Sequence, residues 1–167
     1  MERTIIDMSK GVSGISRPFK GIIEQIGLQD EDSIIYAGLP GVCTPFIELL
    51  AYAIRKLEIN QVFVPNLDLS LAKNVVPVEN IGIQFGDPVE IEKAKVVVLL
   101  GGLAMPISPV GREEVSLFLE SILVPEGTVI GVSFMNMFEQ VGWTSELPFD
   151  FWIDATIDPV KVERFLR

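Results

Sequence analysis

The chain has 167 residues, a formal net charge of −10, 49% hydrophobic residues, one cysteine and no histidine. That length fits a single domain over residues 1–167 with a normal core, and the apolar content excludes a disordered chain. The missing histidine excludes Ser-His and Cys-His nucleophile pairs and His-ligated metals, and one thiol excludes an intramolecular disulfide or a four-cysteine site.

The acidic balance sets the chain against nonspecific binding to nucleic acid or an anionic membrane. No run of about 18 apolar residues is present, and the start, MERTIIDMSKG, lacks the apolar stretch of a signal peptide. The expected location is the cytoplasm, where a lone thiol also fits.

In chain order, RTIIDMS reads as an edge strand, and KGVSG as a mobile loop. A helix is predicted from about Pro18, because Phe19, Ile22, Ile23 and Ile26 recur at helical spacing; Gly27 ends it. SIIYA, 33–37, is a short buried strand. The turn GLPGVC follows, then Thr44 as N-cap and Pro45 at the first helical position. Phe46, Leu49, Leu50, Ala53, Ile54 and Leu57 give that helix a wide apolar face.

QVFVP, 61–65, is a second strand. Residues 66–92 read poorly; Ile81, Ile83 and Phe85 alternate as in a short extra strand, and Asp87-Pro88 resembles a helix start. KVVVLL, 95–100, is apolar on both faces, as a central parallel strand requires. A second glycine turn follows, and Ser108-Pro109 repeats the helix-start signature before Val115, Phe118, Leu119 and Ile122. TVIGVSF, 128–134, is the next strand, MNMFEQVGW a loop or short helix, and 149–156 the last strand; Asp158-Pro159 caps a short C-terminal helix.

This alternation predicts an α/β fold: a single-domain, doubly wound, mostly parallel sheet of Rossmann-like or flavodoxin-like type, with helices on both faces. The expectation is about five main strands in the order 2-1-3-4-5. Strands 33–37 and 95–100 would then be neighbours whose outgoing helices take opposite faces. That is the switch point where open α/β sheets bind ligands. The two glycine turns would face each other across one crevice.

The chemistry there is mostly backbone. Gly38, Gly41, Gly101 and Gly102 permit close approach, and helices beginning near Thr44 and Ser108 offer amides and partial positive charge to an anion. Pro45 and Pro109 each remove one amide, while Arg112 adds a cation. Neither turn matches a dinucleotide or phosphate-loop fingerprint, so the sequence names no cofactor. Glycine and proline also simply end strands and start helices. Cys43, before a helix N-terminus, is either a nucleophile with a lowered pKa or a buried small hydrophobe. Ser133 and Asn136 end the fourth main strand at the same sheet edge, as ligand contacts or as turn residues. Asp150 and Asp154 share a strand face but lie roughly 13 Å apart, too far for a shared metal.

From Glu113 to Asp158 there are nine carboxylates and no Lys or Arg, together with seven Phe and Trp residues. This acidic aromatic segment, 113–158, is either a solvated surface over an aromatic core or a partner-binding face.

The stretches AGLPGVCTPF and VVVLLGGLAMP, with the acidic aromatic C-terminal third, resemble a small family of uncharacterised α/β proteins from methanogenic archaea. The resemblance covers most of the chain. It implies an archaeal cytoplasmic protein and a Rossmann-like fold, and makes proximity to methanogen metabolism worth testing. With no activity assigned to that family, it implies no catalytic residues.

Three functions stay open. The first is a small-molecule protein binding an anionic or nucleotide-like ligand between turns 38–44 and 101–112. The second is a non-catalytic interaction module forming a homodimer or binding a protein partner. The third is an enzyme with Cys43 as nucleophile.

Overall fold

The computed structural model describes residues 3–165. The helix predicted from Pro18 begins five residues earlier: α1 spans Ser13–Ile26 with Pro18 inside it, and Gly27 closes it at φ 69°. Strand β1 is Ser33–Gly38, helix α2 Thr44–Ala53 and strand β2 Asn60–Pro65. Beyond a short 3-10 turn come β3, Lys73–Val78, β4, Gly82–Pro88, and β5, Ala94–Leu100. Helix α3, Arg112–Ile122, leads into β6, Leu123–Phe134. Two single turns, α4 at Met137–Gln140 and α5 at Trp143–Glu146, precede β7, Phe151–Ala155.

The fold is α/β with a mostly parallel sheet. The sheet has seven strands, not about five, in the order β4-β3-β2-β1-β5-β6-β7. The expected whole-sheet order is corrected at one edge, where β3 pairs antiparallel with β2 and β4 antiparallel with β3. The remaining strands, β2-β1-β5-β6-β7, are mutually parallel. Pro77 inside β3 hides it from a sequence reading, because proline removes a ladder donor and belongs on edge strands.

Side chains alternate across the sheet. Ile34, Tyr36, Val96, Val98, Leu100, Ile130 and Val132 face α1 and α2. Ile35, Ala37, Val97, Leu99 and Val129 face α3, α4 and α5. Both faces are covered, which explains why β5 reads as an unbroken apolar run.

Several local expectations are overturned. RTIIDMS from Arg3 onward forms no strand; its first two chain neighbours lie outside the described residues. No helix follows Asp87-Pro88, which ends β4, and among the described residues none follows Asp158-Pro159. Helix α2 buries Ile47, Leu50 and Ala51, while Leu57 lies past its end and is exposed. Of the seven aromatics of the acidic third, Phe118, Phe138 and Trp143 are buried, and Phe134, Phe149, Phe151 and Trp152 are half-buried. Phe138 stacks on Trp143 at 5.6 Å and packs on Phe149 at 5.1 Å. Within the segment, buried aromatics thus lie beneath exposed carboxylates such as Glu113, Glu120 and Glu139.

Among the described residues, no helix is long and apolar enough to cross a membrane.

Candidate functional site

The two glycine turns meet beyond the C-terminal ends of β1 and β5, and α2 and α3 leave toward opposite faces. They meet as packed surfaces. A Cβ on Gly38 would lie 2.8 Å from Cys43 Cβ and 3.2 Å from Leu100 Cβ. One on Gly102 would fall on Cys43 Sγ. Only glycine lets the chains approach this closely, and the space gained is filled by the cysteine. Gly101 packs in the same way on Ser133, whose Cβ would be 2.9 Å from an added methyl. The crevice expected between the turns is thus plugged, with Cys43 as its floor.

Cys43 is 2% exposed. Its Sγ accepts the Leu39 N–H at 3.3 Å. Burial pushes the thiol up from its ordinary value, against the opposing pull of backbone N–H groups of Leu39 and Gly102. This corrects the lowered pKa expected of a helix-start thiol: desolvation penalises the thiolate more than the amides favour it. Of the two sequence readings, the buried small hydrophobe is the one that matches this geometry.

The helix-start residues also differ from expectation. Thr44 is the first residue of α2, and its hydroxyl donates to the Gly41 carbonyl at 3.4 Å instead of capping an amide. Gly41 turns the chain at φ 78°. Ser108 does not start α3, which begins at Arg112; its Oγ accepts the Val110 N–H at 3.2 Å. Gly111 precedes the helix, and the Glu114 carboxylate accepts its N–H. Arg112 forms an ion pair with Glu146 of α5, so its cation is engaged away from the turns.

Ser133 is 1% exposed and donates to Asp154 Oδ1 at 2.5 Å, while accepting from Trp152 Nε1 at 2.8 Å. The Asn136 N–H donates to Asp154 Oδ1 at 3.1 Å and Oδ2 at 3.0 Å. These residues lock β6, its outgoing turn and β7 together. The sequence-predicted set therefore splits. Gly38, Cys43, Gly101, Gly102 and Ser133 converge at one edge, with Gly41 and Thr44 at its rim. Ser108, Arg112 and Asn136 serve other contacts.

The sequence reading missed the role of one residue it named, Asp154, and missed Asn66 altogether. Asp154 is the acceptor that collects Ser133 and Asn136, from 21 and 18 residues away, a pairing no local pattern announces. Asn66 directly follows β2, and its N–H donates to the Gly38 carbonyl at 3.0 Å. It stands at φ 50°, followed by Leu67 at φ 64°. Its side-chain Oδ1 is buried and, among the described residues, has no hydrogen-bond partner. A polar residue just past the strand beside β1 was the available signal, since ligands of such sheets contact neighbouring strand ends.

Grooves lie elsewhere. One of ≈ 600 Å³ is lined by Tyr52, Arg55 and the β3–β4 hairpin, with the Arg55 guanidinium 3.7 Å from the Tyr52 ring centre. A second of ≈ 250 Å³ adjoins it along β2 and β3. Among the described residues, no cluster of three acidic or thiol side chains is placed to hold a metal.

The architecture is that of a mostly parallel α/β protein with its strand-end turns packed shut. The chain belongs to the family described as an uncharacterized protein conserved in archaea (DUF2124), whose model matches residues 10–158. An uncharacterized protein of Methanothermobacter thermautotrophicus is 39% identical over 147 residues, covering 85% of this chain and 94% of that protein. One from Methanocaldococcus jannaschii is 33% identical over 157 residues, covering 94% and 92%. A crystal structure of a protein of unknown function from M. thermautotrophicus is similar with a TM-score of 0.86 and 33% identity, over 98% of this chain and all of that one.

Proposed function

We propose that the chain is a small-molecule binding protein whose ligand rests over the C-terminal ends of β2, β1 and β5. The observation that carries this reading is the Asn66 Oδ1, a buried acceptor with no donor beside the β1 terminus. Burying such a group without a partner costs about 1–3 kcal/mol, so it calls for a donor from outside the chain. A nucleotide-like ligand fits: an amino or hydroxyl group on Asn66, and its anionic part toward the N-terminus of α2. Arg112 drops out of this reading because Glu146 engages it. Cys43 serves as packing beneath the ligand, and its raised thiol pKa counts against the nucleophile alternative.

A thermal-shift screen with nucleotides, coenzymes and simple anions tests it, read against Asn66→Gly. Glycine suits the φ of 50° and removes the side-chain amide, acceptor and donor together. A ligand at 100 times its dissociation constant adds about 2.7 kcal/mol of stability. The expected result is a stabilising ligand whose effect the variant loses. A panel without effect, or a variant that binds as the wild type does, overturns it.

A further inference from the structure

The smaller groove runs along the start of β2, at the opposite end of that strand from Asn66. Its floor holds Gln61. Among the described residues, Gln61 and Ser133 are the buried polar side chains. Ser133 both donates and accepts inside the fold. Gln61, 6% exposed, uses one atom: its Oε1 accepts the hydroxyl of the buried Tyr36 at 2.7 Å. Burial keeps that phenol neutral and therefore a donor, which turns Oε1 inward and leaves the amide NH2 for the groove. Among the described residues the NH2 meets no acceptor. Buried polar groups are normally paired, so this donor calls for an acceptor from outside the chain.

The lining fits a single negative charge. The smaller groove has one cation, Arg55, three carboxamides, Asn60, Gln61 and Asn74, and no carboxylate; its other walls are apolar. Arg55 is held in place: its guanidinium lies over the Tyr52 ring and donates to the Tyr52 carbonyl at 2.8 Å. Among the described residues no carboxylate pairs with it, in a chain of net charge −10. One hydrogen bond leaves most of its N–H donors free. Beyond Arg55 the larger groove changes character. Tyr52, Val78 and Ile81 stand exposed along it, and Glu79 repels any second negative charge there.

We infer that the two grooves form one site for a small monocarboxylate with an apolar body. The carboxylate accepts from the Arg55 guanidinium and the Gln61 NH2, and the apolar chain or ring lies along the β3–β4 hairpin. This site is separate from the one over Asn66 and stands or falls without it.

NMR of the full chain tests this, with octanoate as the probe. Octanoate is expected to shift the Gln61 NH2 and Arg55 Nε–H signals and to saturate them below about 1 mM, an affinity within reach of a few good contacts. Arg55→Gln is expected to weaken binding roughly tenfold or more, the effect of losing a charge-assisted hydrogen bond. It changes a half-buried side chain past the end of α2, so the fold is kept. Gln61→Glu retains an acceptor for Tyr36, removes the NH2 and is expected to abolish binding. The inference is overturned if neither signal shifts, or if Arg55→Gln binds octanoate as the wild type does. Octanol binding as tightly as octanoate overturns the charge recognition, and inorganic phosphate binding more tightly overturns the carboxylate.

Discussion

At the scale of single residues, the contact between Cys43 and Gly102 decides what the strand-end turns can do. The sulfur occupies the space a Gly102 side chain would take. Gly102→Ala is therefore expected to cost about 1–3 kcal/mol by overpacking a tight site. The penalty should shrink in the Cys43→Ala background, where the sulfur is gone, and a urea double-mutant cycle measures that coupling. Equal penalties in both backgrounds would place the strain elsewhere. The same burial sets a pH dependence. Because the folded chain favours the neutral thiol, that stabilisation is present in full below the ordinary thiol range and is lost as pH rises through the raised folded value. Urea stability should fall from about pH 8.5 upward more steeply in the wild type than in Cys43→Ala. Tyr36, also raised well above its ordinary value by burial, adds its own loss only at more alkaline pH.

At the scale of elements, Asp154 joins β7 to β6 through side-chain and turn contacts beyond the ladder itself. It accepts the buried Ser133 hydroxyl and the Asn136 amide, whose residue and Met135 both stand at positive φ. Asp154→Ala leaves those donors without their acceptor, and is expected to cost about 1–3 kcal/mol in urea unfolding. A change under about 0.5 kcal/mol, the range of unremarkable surface substitutions, would show that water replaces it. This hub marks where sequence reading stops. Helix α3 and strand β5 were legible because burial on a helix or central strand writes a period or an unbroken run into local sequence. The meeting of the turns was legible through their glycines, but not its outcome, because a sulfur filling a gap leaves no pattern. Strand β3 was hidden by Pro77, and Asp154 and Asn66 by partners that are distant or absent. The helix starts slipped for a related reason: Ser108-Pro109 has the composition of a cap, but Glu114 reaches Gly111 and the helix begins there.

At the scale of the whole molecule, two apolar clusters share one sheet. Leu50 of α2 and Leu119 of α3 lie in different clusters, separated by β1, β5 and β6, whose alternate side chains enter both. Both tryptophans report on one side only: Trp143 lies in the α3 cluster and Trp152 packs against it. If either layer unfolded alone, tryptophan fluorescence would be blind to damage on the α1–α2 side. A shared sheet argues otherwise, since losing α1 and α2 exposes strands that the other helices need as a platform. Leu50→Ala is therefore expected to cost about 2–5 kcal/mol, the usual range for a buried leucine. It should move the fluorescence transition and the circular-dichroism transition together, as one two-state event. Leu119→Ala should do the same from the opposite face. A Leu50→Ala variant whose circular dichroism falls first, with tryptophan fluorescence unmoved, would mean that the layers on the two faces of the sheet are separate folding units.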